Sequence, residues 1–175
     1  MSAVADLTLG SDLNTAARLT GRFVLRSGQI ASEYFDKYRF ESDPALLKRL
    51  ARRMLELIPP ETEALAGLEL GGVPIATAMA LESGLPAVFV RKARKSYGTC
   101  LAVEGYDVAG RKVVIVEDVI STGGAVVEGA AHLAEAGASV IAIVCALWRG
   151  AGAPAIPSLP AAPVRAAFLH SELGQ

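Results

Sequence analysis

An α/β fold with a mainly parallel central sheet flanked by helices, and a small hood beside it, is what the 175-residue sequence predicts. Three observations carry this. The strands read at 64–70, 87–90, 113–116 and 139–147 are mostly apolar without polar alternation, as strands buried on both faces are. Between them lie stretches of helical length, from Asp43-Pro44 to about Ile58, from Pro74 to about Gly84 and from Ala125 to Ala136. Each ends at a helix stop, Pro59-Pro60, Gly84 or Gly137. Strands alternating with helices in this way build a parallel sheet.

Composition bounds the rest. With 52% hydrophobic residues, one domain over 1–175 with a sizeable core is expected. A formal net charge of −1 gives no global reason to bind nucleic acid or an anionic membrane. No positive segment precedes an apolar core at the start, and the longest apolar run, 140–148, is too short to span a bilayer. A soluble, cytoplasmic protein is the expectation. Cys100 and Cys145 have no ligand-spaced partners and are expected to stay reduced, with no structural zinc.

Taken in order, residues 6–20 read as a helix stopped by Gly21, covering one end of the domain. Residues 23–26 and 33–38 read as two short extended pieces about the Ser27-Gly28 turn. They belong to a hood expected from about residues 20–40 together with a carboxyl-terminal edge strand at 164–169. On residue type alone Tyr34, Phe35, Tyr38 and Phe40 read as core aromatics. In the helix from Asp43, Leu46, Leu47, Leu50, Met54, Leu55 and Ile58 form the apolar stripe, and Lys48, Arg49, Arg52 and Arg53 a solvated face. Gly71-Gly72 follows the next strand and lets backbone approach a ligand closely. After the strand at 87–90, Arg91, Lys92, Arg94 and Lys95 place four cations among five residues, either a solvated turn or an anion clamp. The Gly/Ala/Pro-rich stretch 150–163 reads as loop.

The chemistry concentrates at 113–125. An apolar strand ends in Glu117 and Asp118, at the sheet end where ligands collect in open α/β folds. Ser121, Thr122, Gly123, Gly124 and Ala125 then supply hydroxyls and unhindered N–H groups at a helix start, an anion site. Ser-Thr-Gly-Gly alone is also an ordinary capped connection. The adjacent carboxylates shift the balance, since charges beside an apolar strand are costly without a partner. A ligand with phosphate at one end and hydroxyls near the acids fits. Neither a Gly-Lys-Ser/Thr loop nor Gly-x-Gly-x-x-Gly is present here, so ATP and NAD readings fall behind. With an anion site at the sheet end, the clamp is the favoured reading of the cationic loop.

Val-Ile-Val-Glu-Asp-Val-Ile-Ser-Thr-Gly-Gly at 114–124 resembles the phosphoribosyl pyrophosphate signature of type I phosphoribosyltransferases. The resemblance implies that Glu117 and Asp118 hold the ribose hydroxyls and that residues 121–125 wrap the 5-phosphate. Phe-Val-Leu-Arg-Ser-Gly followed by Glu-Tyr-Phe-Asp resembles the amino-terminal segment of orotate phosphoribosyltransferases. It places Arg26 where that family has lysine near the reacting centre, and Tyr34 and Phe35 against the pyrimidine. Glu-Leu-Gly-Gly-Val-Pro resembles the family's pyrophosphate-side loop, with contacts from the backbone of Gly71 and Gly72.

The cationic loop is similar to the family's mobile catalytic loop, which reaches the pyrophosphate of the neighbouring subunit. Arg91, Lys92, Lys95 and Tyr97 carry over to that role, and Lys95, Arg26 and Asp118 to catalysis. Arg149 matches the arginine for the orotate carboxylate, and Ser121 is placed on orotate as well. The implied reaction joins orotate to phosphoribosyl pyrophosphate, giving orotidine 5′-phosphate and pyrophosphate in pyrimidine biosynthesis. Mg2+ would enter with the phosphoribosyl pyrophosphate, with no direct protein ligand, and a homodimer with a shared site is implied. Rival readings are a phosphoribosyltransferase for a purine or uracil, and a regulator of the same fold that senses phosphoribosyl pyrophosphate.

Overall fold

The computed structural model describes residues 6–24, 28–94, 98 and 101–173. In chain order the elements are α1 (Leu9–Ala17), β1 (Arg18–Val24), β2 (Ile30–Phe35), α2 (Tyr38–Glu41), α3 (Pro44–Leu55), β3 (Ala64–Leu68), α4 (Gly72–Ser83) and β4 (Ala87–Val90). They continue with β5 (Val103–Gly105), β6 (Lys112–Ile120), α5 (Gly124–Glu135), β7 (Ser139–Trp148), β8 (Val164–Leu169) and α6 (His170–Leu173).

Six strands form one sheet in the order β5-β4-β3-β6-β7-β8. All neighbouring pairs are parallel except β4 with β5. The sheet carries a core on each face. On one, Leu50, Met54, Ile75 and Met79 of the helices meet Leu65, Val114, Val116 and Val144. On the other, Val126 and Leu133 meet Ala66, Val113, Ile115 and Cys145. The unalternated apolar strands follow from this two-sided burial.

Helix ends obey local chemistry. Asp43 caps α3 by accepting from the N–H of Ala45 at 2.8 Å and of Leu46 at 3.1 Å, with Pro44 in the first turn. The cations of α3 are ion-paired rather than merely solvated: Arg49 with Asp6 and Asp12, Arg52 and Lys48 with Glu82, Arg53 with Glu56.

Three expectations are corrected. The hood is the antiparallel pair β1 and β2 alone, and the strand at 164–169 pairs in parallel with β7 at the edge of the main sheet. The loop at 150–163 carries the chain back along the sheet, so Val164 enters opposite Ile143 in parallel register. The first helix stops at Ala17, and Gly21 lies inside β1. Finally, β6 runs on to Ile120, so both acids lie within the strand and not beyond it. Val119 and Ile120 resume the ladder by pairing with Leu147 and Trp148.

Candidate active site

The carboxyl ends of β3, β4, β6 and β7 open on one side of the sheet, and the expected site residues gather there. Gly71 and Gly72 follow β3, Arg91 and Lys92 follow β4, residues 121–125 follow β6, and Arg149 follows β7. Tyr34 and Phe35 come from β2 of the hood. Arg26, Lys95 and Tyr97 lie outside the described residues.

The acids are held rigidly. Both are buried, Asp118 at 1% exposure and Glu117 at 7%. The Asp118 N–H donates to Glu117 Oε1 at 2.9 Å, and the Val119 N–H donates to Asp118 Oδ1. Asp118 Oδ2 has no well-angled hydrogen bond, but the ammonium of Lys37 is ion-paired with it. Burial, then the Asp118 charge, pushes the Glu117 carboxyl up to about 9. Burial opposes the charge on Lys37, yet the contact with Asp118 outweighs it and raises the lysine's pKa.

A third acid joins them. Glu41 of α2 is only 6% exposed, and neither of its carboxylate oxygens has a hydrogen-bond partner among the described residues. Burial, then the charge of Asp118, pushes its pKa up to about 8. Protonated, it can donate toward Asp118. Lys37 and Glu41 were not expected from sequence. Single charges in an aromatic stretch carry no signal of approach to a strand some 80 residues on.

Glycines let the elements close. Gly71 precedes α4, and a Cβ there would overlap the Asp118 carboxylate; one on Gly72 would lie 2.2 Å from the Val116 carbonyl oxygen. Gly123 has φ +79° and turns the chain into α5, a conformation an L side chain resists. Around it, residues 121–126 with Glu117, Val119 and Ile120 line a recess of about 190 Å3. Ser121 and Thr122 are exposed there, and the N–H groups at the start of α5 suit an anion.

Beside that recess a cavity of about 370 Å3 is walled by Tyr34, Phe35, Lys37, Tyr38 and Arg149, with Val119 shared between the two. Tyr34, Phe35 and Arg149 thus come together as expected, and Phe40 alone of the four aromatics is fully buried. Ser121 lines the recess and is not among the residues around this cavity. Arg91 has a buried Nε with no hydrogen-bond partner among the described residues, and Lys92 is exposed, its N–H donating to Glu69 Oε2 at 3.2 Å. Arg94 is drawn away by Glu135 of α5, 2.5 Å from it. The clamp reading therefore loses one of its four cations.

A parallel sheet that ends in a buried acid pair, an anion turn and two glycines packed against the acids defines a nucleotide-precursor site of the phosphoribosyltransferase kind. The phosphoribosyl transferase domain model matches residues 39–158, and the chain belongs to that family. An orotate phosphoribosyltransferase of Nocardioides sp. is 58% identical over 144 residues, covering 82% of this chain and 80% of that one. The solved orotate phosphoribosyltransferase of Mycobacterium tuberculosis H37Rv, in complex with Fe(III) dicitrate, matches at a TM-score of 0.84 and 27% identity, over 95% of this chain and 97% of its own. The same enzyme in complex with 5-phospho-α-D-ribosyl 1-diphosphate matches at 0.78 and 25% identity, over 95% and 97%.

Proposed function

We propose that the protein transfers the 5-phosphoribosyl group of phosphoribosyl pyrophosphate to orotate, giving orotidine 5′-phosphate and pyrophosphate. The observation that carries this is the shared wall: the 370 Å3 cavity with its aromatic rings and Arg149 adjoins the anion recess through Val119. A pyrimidine carboxylate in the first then sits beside a ribose whose 5-phosphate fills the second.

In the reaction the bond from C1′ to pyrophosphate oxygen breaks, its electron pair leaving with pyrophosphate. The orotate N1, having lost its proton, supplies the pair for the new N–C1′ bond. Positive charge develops on the ribosyl centre between, so preorganised negative charge and exclusion of water lower the barrier. In this reading Asp118 supplies the negative charge, and Glu117, protonated in the ligand-free protein, shares the ribose hydroxyls with it.

Among the described residues no group of three or more His, Cys, Asp or Glu could hold a metal ion. The acid pair, engaged by backbone N–H groups and Lys37, suits a Mg2+ that arrives with its substrate oxygens rather than a protein-built cage. Such an ion would neutralise charge on the leaving pyrophosphate. A homodimer with a shared site, in which Lys95 and Tyr97 act on phosphoribosyl pyrophosphate and Lys95 and Arg26 serve catalysis, is part of the same reading. Among the described residues no helix is long and apolar enough to cross a membrane.

Pyrophosphate release with Mg2+ and each of orotate, uracil, hypoxanthine and adenine tests the reading. Orotate alone should support turnover, since the other three lack a carboxylate for Arg149. Turnover with a purine and none with orotate would overturn it. Binding of phosphoribosyl pyrophosphate with no turnover of any base would point instead to a sensing protein.

A further inference from the structure

Lys37 stands where the two halves of the site join. Its side chain lines the 370 Å3 cavity with Tyr34, Tyr38 and Arg149, while its ammonium is ion-paired with Asp118. The pair is lopsided: the lysine side chain is 32% exposed and that of Asp118 only 2%. Asp118 cannot move to follow, because the Val119 N–H holds Oδ1 and the Gly71 backbone lies against Oδ2. The lysine is therefore the mobile member. It also occupies the carboxylate oxygen that ribose hydroxyls need.

We propose that Lys37 is a sugar-released substrate cation: phosphoribosyl pyrophosphate displaces its ammonium from Asp118, and the freed ammonium turns into the cavity to meet the anionic edge of orotate. The proposal rests on the orotate reading above. Ribose hydroxyls bring donors but no positive charge, so the displaced lysine keeps its proton and needs a new counter-charge. Of the two carboxylates that line the cavity, Glu33 is ion-paired with Arg18 and Asp36 accepts from the Tyr38 N–H, so the new counter-charge comes with orotate. Orotate deprotonated at N1 carries two negative charges, its carboxylate and its ring, and Arg149 with Lys37 presents two positive ones. The Tyr38 ring, 5.3 Å from the ammonium, gives the cation a favourable surface along the way.

Ribose 5-phosphate fills the sugar and phosphate positions without reacting, so calorimetry can read the coupling on the intact protein. Wild type should bind orotate about tenfold to a hundredfold more tightly with ribose 5-phosphate present, and ribose 5-phosphate should gain the same factor from orotate. In Lys37→Gln that gain should vanish. In steady-state kinetics Lys37→Gln should raise the orotate KM about tenfold to a hundredfold. The phosphoribosyl pyrophosphate KM should stay level or fall, because no ion pair has to be broken. Lys37→Arg, keeping a cation, should recover part of the orotate affinity. A raised phosphoribosyl pyrophosphate KM with orotate untouched would overturn the proposal, leaving Lys37 as a mere counter-charge for Asp118. Absence of coupling in wild type would overturn it without any variant. If wild type turned over another base and not orotate, the functional reading itself would fall, and the proposal with it.

Discussion

A Cβ built on Gly71 would stand 1.5 Å from Oδ2 of Asp118, so the turn after β3 and the acid of β6 occupy one shared space. The φ of Gly71 is −69°, which any residue adopts, so the requirement for glycine here is steric and not conformational. This contact joins the turn after β3 to the acid pair of β6.

Gly71→Ala should therefore act on both stability and substrate. Forcing a methyl group against a fixed carboxylate costs about 1–3 kcal/mol by overpacking. The displaced acid should also raise the KM for phosphoribosyl pyrophosphate. Urea unfolding midpoints and initial rates check this; a variant with wild-type values for both would place the acid elsewhere.

Arg149→Ala should weaken orotate far more than phosphoribosyl pyrophosphate. Loss of a charged hydrogen bond is about 1.5–3 kcal/mol, roughly tenfold to a hundredfold in KM. Arg149 lies at the end of β7 with its N–H donating to the Ile120 carbonyl at 2.8 Å, so truncating the exposed side chain leaves the backbone in place. Equal losses for both substrates would remove Arg149 from the base.

The buried acids make stability depend on pH. Glu41 at about 8 and Glu117 at about 9 lie above the ordinary 4.5, so across that window the folded state holds more protons than the unfolded chain. Their contribution is complete below pH 4.5 and is lost as pH rises through 8 and 9. Asp36, Asp118 and Lys37 are the charges facing Glu41, and the raised lysine pKa places its own loss above this window. The Tm of the ligand-free protein should fall from about pH 6 to about pH 9, and Glu41→Gln should fall less steeply. A Tm that climbs over this interval, or an unchanged slope in the variant, would contradict the assignment.

A shared site across a homodimer predicts complementation. Lys95→Ala damages the loop a chain donates, and Asp118→Asn the pocket a chain keeps, so each variant alone has two defective sites per dimer. Random pairing makes about half the dimers mixed, each with one sound site, and activity should return to roughly a quarter of wild type. Co-refolding the two variants and assaying orotidine 5′-phosphate measures it. No recovery despite subunit exchange would confine the loop to its own chain.

How much of this was legible in the sequence depended on the range of the interaction. The strands at 64–68, 87–90 and 139–148 and the stops at Gly84 and Gly137 follow from local period and turn chemistry. The anion turn and the acid pair were legible because they form one contiguous segment. The end of β6 was not, because the ladder with β7 carries two charged residues deeper into the sheet than their polarity implies. The place of 164–169 was hidden for a similar reason: six residues of strand pattern do not say which sheet they join. Lys37 and Glu41 acquire meaning only through Asp118, which the fold alone brings to them.

The corrected place of β8 bears on how the protein behaves at high concentration. A sheet with open edges invites another chain to add a strand, the first step of aggregation. Here one edge is β5, three residues long and ending at Gly105 with φ +103°, too short and too twisted to template a long ladder. At the other edge α3 and α6 lie against β8, and Arg165 donates from within it to the Leu57 carbonyl at 2.5 Å. These contacts tie β8 to the helices beside it and keep a charged guanidinium on the edge strand, which disfavours an added strand. The same residues that finish the sheet thus protect the chain from its neighbours.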